Sequence, residues 1–471
     1  MHVSGNGIGS LRQAMDGPVI TPGDSGFDDA RRVWNAQIDR RPAVIARCLS
    51  TADVVEAMSY GREHGLEITV RAGAHSTAGM AVSDEGLMID LSELKAVTVD
   101  PAAKRARAGG GALLGDLDAA TQEHGLAVPA GLVSHTGVGG LTLGGGMGWL
   151  TRKFGLTIDS LRSAEVVTAE GKVLRAAPDE HPDLFWALRG GGGNFGVVTS
   201  FDFQLHDVDP MVQFGLFFWH QDQGLEPLRL ARELVAELPA DVNVVIAALN
   251  APPAPFVPAE HQLAPGYALL VTGFGSAEQH AELADRIRKA APPLFEIVSP
   301  MPYVDLQKLL DEANAWGLYG YDTAAYLEDL SDDVVEIVAD QMPRKASPMS
   351  VLLFYRLDGA YSQFSDDETA FGGGRSPRYG AFFNAIATDP DTLAADREWA
   401  RGFWNALRPY AIGSGEGYVN ANAEHQGDRV RNTYGAEKYA RLARIKSEYD
   451  PDNVFHHNAN IRPAPSAAAS P

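Results

Sequence analysis

R-A-G-A-H-S, Arg71–Ser76, closes a short apolar run from Leu66 to Val70. The run reads as a strand and the hexapeptide as the loop that ends it. Gly73 lets backbone come close to a neighbour, and His75 follows two residues later. A second stretch echoes it: G-L-V-S-H-T-G-V-G-G-L-T-L-G-G-G-M-G-W, Gly131–Trp149. Two glycine-bearing loops that each carry a histidine suggest a buried cofactor cradled by backbone N–H groups.

The rest of the chain bounds that reading. Its 471 residues, 45% of them hydrophobic, suffice for two domains or one large composite domain. A formal net charge of -22 argues against nucleic acid or a polyanionic substrate, because neutralising phosphate needs clustered Lys and Arg. The single cysteine, Cys48, excludes an intramolecular disulfide and sits in an apolar run as a small buried hydrophobe. No basic-then-apolar leader opens the sequence, and no apolar run is long enough to span a bilayer; the expectation is a soluble cytoplasmic protein.

Periodicity and turn residues give a coarse map. Residues 1–25 are punctuated by Gly and Pro and read as a loose arm, followed by a helix Phe27–Gln37. Strands are expected at Ala43–Cys48, Leu66–Arg71 and Leu87–Leu91, with a helix Ala52–His64 capped by Ser50 or Thr51. Hairpins follow around Pro101 and Glu170-Gly171, a helix at Gly115–His124, and a strand at Val197–Leu205. Beyond residue 210, strands at Met211–His220, Asn243–Ala248, Tyr267–Gly273, Ser350–Tyr355 and Tyr379–Ala387 are interspersed with helices at Gly224–Glu237, Ala277–Ala290, Val304–Ala313, Asp332–Gln341 and Asp391–Leu407. That texture predicts an antiparallel sheet with helices on one face, an α+β fold. A helix Ala436–Tyr449 precedes a low-complexity tail from Pro463.

Gly191, Gly193 and Gly196 spell G-x-G-x-x-G, but they follow a helix and precede a strand. A dinucleotide fingerprint needs the opposite order, so these glycines read as a turn packed on a ligand or on other backbone. His456-His457 has no carboxylate or cysteine at ligand spacing, and no metal is expected. Serine-nucleophile, zincin and Walker patterns are absent from the sequence.

Five pieces in fixed order carry a resemblance: R-A-G-A-H-S; Pro129–Trp149; D-L-F-W-A-L-R-G-G-G-G-N-F-G-V-V; G-Y-V-N; and D-P-D-N-V-F. From about Arg41 to Ile461 the chain resembles the FAD-dependent oxidases of the vanillyl-alcohol-oxidase (PCMH-type) superfamily, in its berberine-bridge-enzyme-like branch. The resemblance implies an N-terminal arm (1–34), an FAD-binding domain of two α+β subdomains (35–210), and a substrate domain with an antiparallel sheet (211–411). It further implies a C-terminal segment (412–462) that completes the FAD domain, and a disordered tail (463–471).

It also implies roles for residues. Arg71, Ala72, Gly73, Ala74, Ser76 and Gly79 would wrap the FAD pyrophosphate, and His75 would carry the flavin through a single covalent bond. From the second stretch Gly131, Leu132, Ser134, Thr136, Gly137, Gly140, Leu143, Gly144 and Gly148 would touch FAD; later come Gly196, Val198, Tyr418, Asn420 and Asn458. Two departures stand out. Val133 occupies the position where many relatives attach flavin through cysteine, and Ala421 occupies that of a tyrosine base. A base would then come from Tyr418, Tyr355, Tyr321 or His135. Thr136, small and polar at the position that controls oxygen access, points to an oxidase. The implied reaction is oxidation of an alcohol or amine C–H in a small natural product or sugar, with O2 reduced to hydrogen peroxide. A dehydrogenase or monooxygenase on the same scaffold, and a flavin-binding protein without turnover, are the alternatives.

Overall fold

Val44–Arg47, Ile68–Arg71 and Leu87–Asp90 are short aliphatic runs, and every residue of Leu87–Asp90 is buried. A strand covered on both faces suits the middle of a parallel sheet. Leu87–Asp90 takes that place, paired in parallel with both of the others. A computed structural model describes residues 5–425 and 428–465. In it the first sheet is completed by Val19–Ile20, antiparallel to Val44–Arg47. The helix Thr51–Glu63 begins where Ser50 accepts a bond from the Asp53 N–H, and Gly65 (φ 61°) turns the chain out of it.

A second, five-stranded antiparallel sheet has the order Val97–Asp100, Arg105–Gly109, Val197–Gln204, Leu161–Val167, Val173–Ala176. The third sheet has seven antiparallel strands: Phe295–Pro302, Met211–His220, Pro265–Gly273, Val242–Asn250, Val351–Leu357, Arg378–Ala387 and Tyr319–Leu327. One face of it buries Phe217, Ile246, Phe354 and Phe383 against helices Glu226–Glu237, Ala277–Ala290, Asp332–Gln341 and Pro390–Leu407. The other face turns toward the first two sheets. The segment after Gly413 returns to the second sheet, where Tyr434, Leu442, Ile445 and Ile461 share a core with Leu184, Phe185 and Phe203.

Several expectations need correction. Residues 1–25 are not a loose arm from Gly5 onward: Gly5–Ala14 is helical, and Leu11, Met15 and Val19 are buried in the core of the first sheet. The expected helix Phe27–Gln37 stops at Ala30, because Trp34 N–H and Ala36 N–H bond instead to Ala74 and Leu318 carbonyls. Val304–Ala313 holds only the turn Tyr303–Leu306 as α-helix. Strands Phe295–Pro302 and Tyr319–Leu327 escaped the periodicity reading. Both are sheet edges, where proline, glycine and aspartate are tolerated because one side of the strand has no ladder to satisfy. Residues 466–471 of the expected tail lie outside the described residues.

Two buried ion or acid contacts fix the assembly. Lys446 and Asp450, both fully buried, pair at 2.6 Å, and Lys446 Nζ also donates to the carbonyls of Asn194 (2.6 Å) and Phe455 (2.9 Å). Asp450→Ala strips a buried ammonium of its partner and is expected to cost about 3–5 kcal/mol in urea unfolding. Across the seam between the helix Leu114–Gln122 and the turn after Phe295–Pro302, Gln307 Nε2 donates to Asp118 Oδ2 at 2.9 Å, while Asp118 Oδ1 and Gln307 Oε1 are buried without partners. Burial pushes the Asp118 carboxyl from 3.8 up to about 7, so folding favours its protonated form. That stabilisation is full below pH 3.8 and is lost as pH rises through 7. Asp118→Asn, whose amide supplies the missing donor at every pH, is expected to gain about 1–3 kcal/mol at pH 8 and to flatten this pH dependence of the unfolding free energy.

Candidate active site

The two glycine loops meet backbone to backbone. A Cβ on Gly73 would lie 2.2 Å from the Gly137 nitrogen, and one on Gly137 would lie 2.4 Å from the Gly73 nitrogen. Ala74, in the left-handed region at φ 50°, swings the chain so that His75 follows into the interior. Gly148 lies against the Ala130 carbonyl, where a Cβ would come within 1.9 Å. Between these loops and the inner face of the third sheet runs a cavity of about 1040 Å³. Ala72–Ser76, Gly131–Val133, Thr136–Gly137, Gly192–Asn194, Tyr418–Asn422 and His457–Ala459 line one side of it.

His75 lies at the centre. Its ring stacks on Trp34 at 5.0 Å and tilts against His135 at 5.0 Å. Burial, helped by His135, lowers its pKa to about 3, so the imidazole is neutral at physiological pH. Its Nε2 is buried with no partner. Gly140 and Gly193 have open space where a Cβ would stand, and both face the cavity. An unsatisfied ring nitrogen and two bare stretches of backbone on the wall of one cavity fit a long group that carries phosphates. The turn Gly191–Gly196 belongs to the same wall: Asn194 Nδ2 donates to the carbonyls of Gly191 (2.9 Å) and Ala459 (3.1 Å), and Ile461 N–H donates to Asn194 Oδ1.

Tyr418 and Asn420 close the far end. The Tyr418 phenol oxygen accepts from Gly146 N–H and from Asn420 Nδ2, both at 2.8 Å. Burial pushes its pKa up to about 12 even though both donors oppose the shift. Burial thus keeps the phenol protonated, and with both lone pairs taken it has only that proton to offer. Tyr355 packs edge-on to Phe382 at 4.9 Å, and burial raises its pKa further. Phe382 in turn meets Tyr418 at 6.2 Å. Leu353, Val351, Asn384 and Ile386 extend this wall.

Other expected residues stand elsewhere. Tyr321 is on the opposite face of the sheet, in the helix-covered core under Arg397 and Arg401. Its neighbour Asp322 takes the inward position and accepts a bond from Thr77 Oγ1. A strand alternates faces residue by residue, so the one-residue difference removes Tyr321 from the cavity and from any role as base there. Arg71 turns away to pair with the buried Asp90 at 3.2 Å. Ser134 is held by Asp311, Gly79 packs on Ile38, and Gly144 packs on the Asn420 amide. His135 reaches the site only through the His75 ring. Gly144 and Gly148 shape the wall from behind it.

The family model of an FAD binding domain matches residues 42–177, and that described as berberine and berberine-like matches residues 417–462. An FAD-linked oxidoreductase of Dictyostelium discoideum is 31% identical, covering 97% of each chain. An (R)-6-hydroxynicotine oxidase of Paenarthrobacter nicotinovorans is 33% identical, covering 96% of this chain and 97% of its own. The chain is an FAD-linked oxidoreductase of the berberine-bridge-enzyme-like family. The crystal structure of 6-hydroxy-D-nicotine oxidase from Arthrobacter nicotinovorans superimposes with a TM-score of 0.84 at 30% identity, over 96% of this chain and 98% of that one.

Periodicity could not have found Phe382, Asn384 or Leu353 as walls of this oxidoreductase's cavity. Their inward facing depends on strand register. Nor does any motif mark Asp311 or Gln307, which reach the second loop from the substrate half. Gly140→Leu tests the cradle directly. The protein leaves room for the side chain, so unfolding stability is expected to stay within about 0.5 kcal/mol of the parent. Flavin absorbance per chain after purification is expected to fall at least tenfold.

Proposed function

We propose that this enzyme is an oxidase that carries FAD on His75 through one covalent bond and oxidises a small apolar amine at the C–H beside nitrogen. The observation that carries the reading is one cavity lined both by a neutral His75, whose Nε2 has no partner, and by a wall of uncharged side chains. A neutral imidazole has the lone pair that bond formation needs. Val133 has no sulfur to make a second bond. The chemistry FAD supplies when bound is acceptance of a hydride from substrate and its return to O2 as hydrogen peroxide.

The chain's own residues argue for amine over alcohol or sugar. An alcohol must lose its O–H proton as hydride leaves, which requires a base. Tyr418 holds its proton, Tyr355 more so, and Ala421 has no titratable group. His425 is driven down to about 4 by burial and by Arg429, which makes it a weak acceptor. An amine in its free-base form needs no such base, because its nitrogen lone pair supports the departing hydride. Phe214, Leu216, Leu353, Phe382 and Ile386 give the amine an apolar bed, with Asn384 as the polar group among them. Among the described residues lining the cavity, Glu312 is the only Asp, Glu, Lys or Arg, and it is exposed. Phe256 and Leu263, 45% and 48% exposed, also line it and offer an apolar approach. Tyr418 presents its O–H to orient substrate, and Thr136 leaves space for O2. The (R)-6-hydroxynicotine oxidase relative points to the same substrate class.

Two measurements test this. After acid precipitation the yellow colour is expected in the pellet, and His75→Ala is expected to move it to the supernatant. A peroxide assay across cyclic amines, alcohols and sugars is expected to respond to amines. Its rate should rise with pH as the substrate amine loses its proton, following the pKa of each amine tried. Peroxide from sugars alone would overturn the amine reading.

A further inference from the structure

The segment Tyr303–Asn314 of the substrate half has two faces. Leu309, Leu310 and Asn314 line the cavity. From the other face, Asp311 Oδ1 accepts the Ser134 N–H at 2.8 Å and Asp311 Oδ2 accepts the Ser134 hydroxyl at 2.5 Å. Gln307 Nε2 reaches the Gly131 carbonyl at 3.2 Å. These bonds seize the start and the middle of the second loop from outside the domain to which that loop belongs. His135, whose ring lies 5.0 Å from His75, and Thr136, on the cavity wall, come next in the chain.

We propose that Asp311 is a positioning residue for oxidation: its two-point grip on Ser134 sets His135 against His75 and Thr136 at the cavity wall. The inference rests on the proposed role of His75 only for its functional consequence; the grip itself is a property of the chain. Further bonds anchor the loop: Thr136 N–H to the Val133 carbonyl, Leu114 N–H to the Thr136 carbonyl and Gly115 N–H to the Ser134 carbonyl, at 3.1, 2.9 and 2.8 Å. The last holds the carbonyl side of Ser134, whereas the Asp311 carboxylate holds its N–H and its hydroxyl. A carboxylate that binds a backbone N–H and the hydroxyl of the same residue fixes both position and rotation, which a single bond cannot. The same segment presents Leu309 and Leu310 to the cavity, so the substrate wall and the flavin loop are held by one piece of backbone.

The test uses the purified holoenzyme in four forms: parent, Asp311→Ala, Ser134→Ala and the double variant. Hydrogen exchange of a peptide spanning residues 131–137 reports the grip, and stopped-flow reaction of the dithionite-reduced enzyme with O2 reports its consequence. Asp311→Ala is expected to speed exchange at least tenfold and to change the reoxidation rate at least fivefold. Ser134→Ala keeps the backbone bond, so its effect on both should be less than threefold, and the double variant should match Asp311→Ala. Asp311→Asn, which retains one acceptor for the Ser134 N–H, should fall between parent and Asp311→Ala, and serves if the alanine variant does not fold. Exchange at the parent rate in Asp311→Ala overturns the grip. Faster exchange with unchanged reoxidation overturns the positioning role. If parent flavin proves non-covalent, the proposed linkage fails while the exchange measurement still decides the role of Asp311 in the loop.

Discussion

The approach of two backbones at Gly73 and Gly137 is the constraint on which the site depends. With side chains excluded from both positions, the loop that carries His75 and the loop that carries His135 lie nitrogen against nitrogen. No other residue type permits that distance. The consequence is a pair of histidine rings in contact inside the protein, with a cavity of about 1040 Å³ opening from them. An alanine at either glycine would push the loops apart and separate His75 from the wall that faces it.

Burial then sets the protonation of four groups on the cavity wall. It lowers His75 and His425 and raises Tyr355 and Tyr418. Each shift favours the neutral form, because a low-dielectric interior penalises charge whatever its sign. The cavity is therefore a place where a charge on these four groups is disfavoured. The acidic surface of the chain, -22 overall, does not extend into this interior.

The substrate sheet does more than roof the cavity. Through Asp311 and Gln307 it holds the second glycine loop, and through Asp322 it receives Thr77, two residues past His75. Asn35 ties the Thr77 and Gly320 carbonyls together at the same seam. The third sheet and the two glycine loops are thus bonded to each other at the residues that flank the histidines. The C-terminal segment adds the third contact by threading Tyr418 and Asn420 under Gly144–Gly146.

Local sequence determined what depends on local chemistry. The glycine loops, the helix cap at Ser50 and most central strands were legible because a turn, a cap or an alternating run is written in consecutive residues. The ordered set of motifs carried the family, and with it FAD. The tertiary structure decided whatever depends on register and on distant partners. Tyr321 and Tyr355 look alike in sequence, yet strand parity sends one to the helix-covered core and the other to the cavity. Arg71 looks like a phosphate ligand until Asp90, nineteen residues on, claims it. Phe295–Pro302 and Tyr319–Leu327 become strands only because a sheet edge accepts residues that an interior strand refuses. Asp311 acquires meaning only against Ser134, 177 residues away. Side-chain facing changes with every single-residue step along a strand, whereas turn chemistry does not, and that difference separates what the sequence alone could say from what required the folded chain.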